Sequence, residues 1–194
     1  HAGIYANDFV RLRTFELIAH EIRDRNIAGS VAELGVFRGE FTYFLNREFA
    51  DRKCYLFDTF EGFEESELKK EIKAGIVDES VAEAYTNTSV DIVKEKLAHQ
   101  ENVVICKGFF PQSLNGLEDE FAFVSIDVDL EDSIYNGLEY FYPRMKQGGY
   151  IMVHDYNNYL TGVKKAVKNY AEGCGEYIRM VPLADTAGTM VIVK

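Results

Sequence analysis

Apolar residues along the chain form short runs that alternate with polar stretches and with segments of helical spacing. The first five runs are separated by helical segments, whereas only a loop separates the last two. This alternation predicts a three-layer α/β fold with a mostly parallel seven-stranded sheet and an antiparallel last strand. The runs predicted as strands are residues 30–34, 53–57, 102–106, 121–126, 150–153, 176–181 and 189–193.

Two segments fall outside this alternation. Residues 7–27 read as an N-terminal helix, because apolar residues recur there at intervals of three and four. Residues 59–100 form a long, charged segment without a strand pattern, which favours a lid inserted after the second strand, with helices over residues 61–73 and 89–99. We therefore expect residues 1–194 to form a single domain with these two additions. The predicted apolar stripe of the first helix is Phe9, Leu12, Phe15, Ile18, Ala19 and Ile22.

The main candidate site lies in the strand–helix–strand unit of residues 121–156, whose helix is predicted over residues 131–146 and to end at Gly148 and Gly149. Its two strands are predicted to be parallel, so both end at the same edge of the sheet. Asp127 and Asp129 follow the first strand, and His154 and Asp155 follow the second. Any one of these residues alone reads more simply as a solvated strand end or a helix cap. Four ligand-type side chains at neighbouring strand ends favour a metal site.

Charge and composition exclude several kinds of partner. The formal net charge of −11 argues against nucleic acid and against an anionic membrane surface. No apolar run approaches the length of a membrane span, and the start shows no secretion signal. Three widely spaced cysteines, Cys54, Cys106 and Cys174, are expected to be reduced thiols in a cytoplasmic compartment.

A glycine turn after the first strand suggests a second site at the same edge. Gly35 and Gly39 let the backbone approach a ligand closely, and Glu33 stands where a phosphate-binding turn would carry a further glycine. A carboxylate there would repel phosphate but suits an ammonium or a sulfonium. Asp58 ends the second strand and is placed to accept hydrogen bonds from ribose hydroxyls. The simpler reading is a tight turn with solvated acids.

Five segments together resemble the macrocin O-methyltransferase (TylF-like) family. They are AELGVFRGEFT, YLFDTFEGF, KGFFPQSL, SIDVDLEDSIYNGLEYFYPRMKQGGYIMVHDY and GVKKAV, and they run from about residue 32 to the C-terminus. The strand pattern is also similar to the Rossmann-like class I methyltransferase fold. The resemblance implies an enzyme that uses S-adenosylmethionine and a divalent cation to methylate a sugar hydroxyl. It also implies a homo-oligomer, because family members often self-associate.

The resemblance also assigns roles to residues. Asp127 and Asp155 would bind the cation, usually magnesium, and Asp129 would be the general base. His154 stands where the family commonly has another aspartate. Either the metal is manganese, iron or zinc instead, or His154 turns away from the site or serves as a base, or the metal dependence is lost. The candidate catalytic residues are Asp127, Asp129 and His154. The candidate cofactor contacts are Glu33, Gly35, Phe37, Gly39, Asp58, Thr59, Gly108, Phe109 and Asp127, and the candidate metal ligands are Asp127, His154 and Asp155.

The expected function is therefore S-adenosylmethionine-dependent O-methylation of a sugar or a sugar-bearing small molecule. A cation held by Asp127 and Asp155 would lower the pKa of the acceptor hydroxyl, and Asp129 would accept its proton. Two other classes remain open on the sequence. The first is a methyltransferase of the same fold with a catechol or carboxylate acceptor. The second is a non-catalytic binding protein or a nucleotide-dependent oxidoreductase, although Glu33 argues against the oxidoreductase.

Overall fold

The computed structural model describes residues 2–75, 85–158 and 162–194, so positions 76–84 of the predicted lid lie outside the described residues. The strands are β1 Ser30–Leu34, β2 Cys54–Asp58, β3 Val103–Lys107, β4 Phe121–Ile126, β5 Met145–Val153, β6 Arg179–Pro182 and β7 Met190–Val193. The α-helices are α1 Ala2–Asp24, α2 Glu40–Glu48, α3 Glu65–Lys73, α4 Val90–Lys94, α5 Glu131–Arg144 and α6 Val163–Gly173, and single 3-10 turns cover Gln100–Asn102 and Gln112–Leu114.

Within the described ranges, the strands form one seven-stranded sheet in the order β3-β2-β1-β4-β5-β7-β6. Strands β1 to β5 pair in parallel, and β7 runs antiparallel to both β5 and β6. The prediction of a mostly parallel sheet with an antiparallel last strand is confirmed. The chain order reverses between β1 and β4, and open α/β sheets bind ligands in the crevice at such a point.

Apolar layers on both faces of the sheet account for the continuous apolar runs. On one face, the ring of Phe15 from α1 meets Phe41 of α2 and Phe123 of β4, each at 5.0 Å between centroids. On the other face, Phe141 of α5 meets Phe121 of β4 at 5.1 Å. Strand β4 is buried along its whole length, as expected of a central parallel strand with helices on both sides.

The junction between α5 and β5 differs from the sequence prediction. We expected the helix to reach residue 146 and to end at Gly148 and Gly149, but it ends at Arg144, and β5 begins at the next residue. Pro143 in the last turn removes a backbone N–H and crowds the preceding turn, which weakens the C-terminal end of the helix. Gly148, at φ +84°, lies inside β5, where the register with β4 shifts in a bulge.

The first helix and the predicted lid also differ in detail. Helix α1 begins at Ala2 and leaves helical geometry at Asp8, with φ −127° and ψ 22°. Phe9, which was predicted to be in the apolar stripe, has 60% of its surface exposed. In the lid region, the helix expected over residues 89–99 is only Val90–Lys94. None of the described helices combines the length and apolar character that crossing a bilayer would need.

Candidate functional site

A cavity of about 410 Å³ opens at the carboxyl ends of β1, β2 and β4. Its walls come from the turn after β1, the loops after β2, β3 and β4, and the first helix. Most of its lining is apolar, and charged side chains are concentrated where β4 and β5 end. A small-molecule site commonly has this composition, with a few polar groups that fix the orientation of the ligand.

The turn after β1 depends on glycine. Gly35 has φ +89°, and a Cβ atom at this position would overlap the main-chain oxygen of Asp127. The backbone of the turn therefore packs directly against the end of β4, and no larger residue fits without moving one of the two loops. Phe37, two residues later, also adopts a left-handed conformation (φ 49°) and lines the cavity.

Asp58, at the end of β2, holds this turn in place. One of its carboxylate oxygens accepts hydrogen bonds from the backbone N–H groups of Val36 and Phe37 at 2.7 and 2.8 Å. The other oxygen accepts from the N–H of Phe60 at 2.6 Å. These three bonds use three of about four acceptor positions on the carboxylate. Asp58 therefore organises the cavity wall and keeps one position for a ligand hydroxyl.

Glu33 lies on β1 with only 2% of its surface exposed, and it contributes to the cavity wall. Its carboxyl group accepts a hydrogen bond from the hydroxyl of Thr42 on α2. Burial raises the pKa of Glu33 to about 8, although the Thr42 hydrogen bond and Arg11 act in the opposite direction. A cation bound beside this carboxyl group would favour its ionised form.

The other predicted cofactor contacts divide into two groups. Thr59, Gly108 and Phe109 line the cavity, as expected from the loops after β2 and β3. Gly39 does not line it, because it begins α2 at φ +76° and faces Val93 of α4. Gly39 thus shapes the helix start rather than the cavity surface.

Three of the four strand-end residues are in direct contact at the mouth of the cavity. Nδ1 of His154 lies 3.0 Å from Oδ1 of Asp127 and 2.7 Å from Oδ2 of Asp155. Asn158 donates to the other oxygen of Asp155 at 3.1 Å. The parallel pairing of β4 with β5 brings these groups together, since Ile126 pairs with Val153 immediately before them.

Asp129 is the fourth strand-end residue, and its environment differs from that of the other three. Its backbone is left-handed at φ 60°, as is that of Asp155 at φ 54°, and non-glycine residues hold this conformation only where the surroundings impose it. Burial raises the pKa of Asp129 to about 8, and the negative charges of Asp127 and Asp155 act in the same direction. A carboxyl group with this pKa suits proton transfer near neutral pH.

The protonation of His154 and Asp127 is set by their contact with each other. Burial lowers the pKa of His154, but the carboxylates of Asp127 and Asp155 outweigh it and raise the value to about 10. Burial likewise opposes ionisation of Asp127, yet His154 and Arg11 hold its pKa below the usual value. The centre is therefore an ion-paired cluster in which the imidazolium donates to two carboxylates.

Arg11 of α1 is a member of this centre that the sequence analysis missed. Only 4% of its surface is exposed, and its Nη2 lies 3.1 Å from Oδ2 of Asp127. The helical spacing contained a signal for this burial, because Arg11 precedes the buried residues Phe15, Ile18 and Ile22 by four, seven and eleven positions. A charged residue on the apolar stripe of a helix needs a partner, and here the partner is at the site.

Comparison with known proteins gives a consistent set of matches. Residues 8–183 match the family model of macrocin-O-methyltransferase (TylF). A demethyldecarbamoylnovobiocin O-methyltransferase from Streptomyces niveus is 25% identical over 160 residues, which cover 75% of this chain and 60% of that protein. An 8-demethyl-8-(2,3-dimethoxy-alpha-L-rhamnosyl)-tetracenomycin-C 4'-O-methyltransferase from Streptomyces olivaceus is 24% identical over 192 residues, which cover 93% and 71%.

A solved structure supports the fold assignment. The O-methyltransferase NovP superposes on this chain with a TM-score of 0.75 at 20% sequence identity, covering 95% of this chain and 79% of NovP. At this level of identity the likeness shows the fold, which is the predicted class I methyltransferase fold. The chain spans 60% of the length of the Streptomyces niveus relative.

Proposed function

We propose that this chain, which belongs to the macrocin O-methyltransferase (TylF) family, transfers a methyl group from S-adenosylmethionine to a hydroxyl group of a sugar or a sugar-bearing small molecule, of natural-product or polysaccharide type. The observation that carries the proposal is the juxtaposition of two features at one sheet edge. A glycine-turn cavity that holds a buried carboxyl group, Glu33, adjoins a cluster of acids and a histidine at the ends of β4 and β5.

The residues around the cavity fit S-adenosylmethionine. Because Gly35 has no side chain, the turn packs directly against the main chain of Asp127 at the cavity. Glu33 offers a buried carboxyl group to an ammonium or a sulfonium. Asp58 keeps an acceptor position for a ribose hydroxyl, and a cavity of about 410 Å³ falls within the range of small-molecule sites. Phe37 and Phe109 supply apolar surface on the same walls.

The donor set of the centre fits a divalent cation. Asp127, His154 and Asp155 each offer one ligand atom, and these atoms lie within 4.8 Å of one another. A set of two carboxylates and one imidazole favours Mn²⁺, Fe²⁺ or Zn²⁺ over Mg²⁺. His154 would have to release its Nδ1 proton to act as a ligand. A cation bound there would lower the pKa of the acceptor hydroxyl group.

Asp129 is the proposed general base. As the hydroxyl oxygen bonds to the methyl carbon, the carbon–sulfur bond breaks and its electron pair stays on sulfur, while Asp129 takes the hydroxyl proton. Its pKa of about 8 lets it accept that proton and return it to solvent near neutral pH. The in-line transfer also requires that the acceptor and the cofactor are held in alignment, and both would lie against the loop after β4.

The acceptor class is supported by the relatives. The name of the Streptomyces olivaceus protein specifies a rhamnosyl-bearing tetracenomycin, and that of the Streptomyces niveus protein specifies a novobiocin derivative. We extend this to a sugar-type acceptor for the present chain. The proposal also includes a homo-oligomeric assembly, a single domain with the lid of residues 59–100, and a cytoplasmic location, in keeping with three free cysteines.

The proposal is tested by binding and by turnover. S-Adenosylhomocysteine should raise the melting temperature of the protein, whereas NAD should not. With S-adenosylmethionine, a panel of methyl deoxyhexosides and nucleotide-linked deoxyhexoses should gain one methyl group by mass spectrometry. A chelator should lower the rate, and Mn²⁺ should restore it.

Asp129→Asn should lower kcat by about 100-fold or more, because it keeps the shape but cannot accept a proton. Its melting temperature with S-adenosylhomocysteine serves as the control for cofactor binding. Methylation of catechol with no methylation of any sugar would overturn the acceptor class. Absence of any stabilisation by S-adenosylhomocysteine would overturn the whole proposal.

A further inference from the structure

Arg11 makes contacts on three sides inside the site. Its guanidinium group lies 3.1 Å from Oδ2 of Asp127 and 3.6 Å from a carboxylate oxygen of Asp8, and it stacks 4.6 Å from the ring centroid of Phe41. Its Nε atom is buried and has no hydrogen-bond partner among the residues that the structure describes. An unsatisfied buried donor is destabilising. The fold therefore keeps this side chain in place against a local energetic cost.

The two oxygens of Asp127 face different cations. Oδ2 is held by Arg11, and Oδ1 faces Nδ1 of His154, which in turn contacts Asp155. The hydrogen bond from Arg11 to Oδ2 joins two charged groups, and charge-assisted bonds of this kind are among the strong ones. Only Oδ1 therefore remains for any cation that takes its place among Asp127, His154 and Asp155.

We propose that Arg11 is a positioning residue that limits Asp127 to a single ligand oxygen and thereby sets which divalent cation the centre prefers. The inference rests on the proposed function, since it concerns the cation of that site. Small ions such as Mn²⁺ and Mg²⁺ accept one oxygen from each carboxylate, whereas Ca²⁺ takes six to eight oxygens and often binds carboxylates through both. Engaging Oδ2 thus disfavours Ca²⁺.

The geometry explains why arginine is used for this purpose. The planar group reaches Asp8 through Nη1 and Asp127 through Nη2 while its face lies on Phe41, and a lysine ammonium offers no such fork. The break in helical geometry at Asp8 places that carboxylate beside Arg11, three residues later. An arginine of the first helix thus fixes the orientation of the Asp127 side chain, which directly follows β4.

The experiment compares two divalent ions in one protein. Titration calorimetry in the presence of saturating S-adenosylhomocysteine gives the dissociation constants for Mn²⁺ and Ca²⁺, and their ratio is the readout. Removing one positive charge affects both divalent ions alike, so the ratio isolates the geometry of Asp127. We expect Arg11→Met to lower the preference for Mn²⁺ over Ca²⁺ by about tenfold, which corresponds to about 1.4 kcal/mol.

Arg13→Met is the matched control, because Arg13 lies on the same helix but is half exposed and pairs with the nearby Glu16. Its Mn²⁺ to Ca²⁺ ratio should stay within about twofold of the wild type. If Arg11→Met does not yield folded protein, Arg11→Lys takes its place with the same expected direction, since lysine keeps the charge but loses the fork.

Two outcomes would overturn the inference, and only the second of them also affects the proposed function. An unchanged ratio in a folded Arg11 variant that still binds Mn²⁺ removes the role of Arg11 and leaves the proposed function intact. A wild-type protein that binds S-adenosylhomocysteine but neither ion removes both this inference and the cation from the proposed function. In that case, methyl transfer in the presence of a chelator would show that the remainder of the function stands.

Discussion

The turn after β1 and the centre after β4 and β5 lie at the same sheet edge but are built on different principles. The turn is shaped by backbone geometry, with Gly35 at positive φ and Asp58 binding three main-chain N–H groups. The centre is shaped by charge, with Asp127 between Arg11 and His154. The turn should therefore be sensitive to added volume, and the centre to lost charge, even when volume is kept.

The largest expected effect follows from removing charge at the centre. Asp127→Asn keeps the shape of the side chain but leaves Arg11 and His154 without their common partner. We expect kcat/KM to fall by about 1000-fold, which equals about 4 kcal/mol of transition-state stabilisation. Steady-state kinetics measures this effect, with the acceptor that the mass-spectrometric panel identifies.

Cofactor affinity is the control for Asp127→Asn. Asp127 is itself a candidate cofactor contact, but the turn after β1 does not depend on its charge, so the dissociation constant for S-adenosylhomocysteine should rise by no more than about tenfold. A variant that retains full turnover, or that loses cofactor binding in parallel with turnover, would show that the two regions are not separate in the way we describe.

The second effect follows from adding volume to the turn. Gly35→Ala places a Cβ atom against the main chain of Asp127 at φ +89°, so one loop must move. We expect a loss of about 3 kcal/mol in the free energy of unfolding, or about 6–12 °C in melting temperature. Cofactor affinity should fall with it, as measured by calorimetry.

Gly75→Ala provides a matched control for backbone strain alone. Gly75 also has positive φ (+70°), but a Cβ atom there would meet no atom of the described residues within 4 Å. We expect Gly75→Ala to lower the free energy of unfolding by about 1 kcal/mol, which is the strain of a non-glycine residue in the left-handed region. Equal losses in the two variants would mean that the close approach of Gly35 to β4 contributes nothing.

The smallest expected effect concerns Glu33, a charged group that lies beside the glycine turn after β1. Its carboxyl group, with a pKa of about 8, is mostly neutral at pH 7 and ionised at pH 9. The ammonium group of S-adenosylhomocysteine favours the ionised form, so affinity should rise by up to about tenfold between these pH values. Calorimetry at pH 7, 8 and 9 measures the rise, and Glu33→Gln should flatten it.

Stability should respond to pH with the opposite sign. The folded-state pKa of Glu33 lies above its ordinary value of 4.5, so the favourable contribution of the neutral group is complete below pH 4.5 and is lost as pH rises through 8. The melting temperature of the ligand-free wild type should therefore fall more between pH 7 and pH 9 than that of Glu33→Gln. Asp129 titrates in the same range in both proteins and cancels in the comparison.

The fold was largely predictable because its signals are local. Strand β4 has a continuous apolar run followed by Asp127 and Asp129, and strand β5 has an apolar run followed by His154 and Asp155. Because the helix between them makes a right-handed crossover, the two strands are parallel and Asp127 lies beside His154. Both strands of the unit were recognised from their sequence. The end of α5 was misplaced because the prediction gave weight to Gly148 rather than to Pro143 in the last helical turn.

The missing parts of the site depend on contacts between distant segments. Arg11 lies 116 positions before Asp127, and nothing in the local sequence of either residue specifies the other. The ribose contact predicted for Asp58 stays a prediction, and its three bonds to backbone groups of two loops were not anticipated from the sequence. Sequence patterns identified which residues carry charge at the edge, but not which charges neutralise one another.

The bonds of Asp58 have a practical consequence for engineering. Since one carboxylate gathers amides from the turn after β1 and from the loop after β2, those two loops share a single anchor. Either loop tip could be exchanged for that of another family member while the anchor is kept. Asp58 is thus a suitable fixed point for grafting loops that would admit analogues with larger transferable groups than methyl.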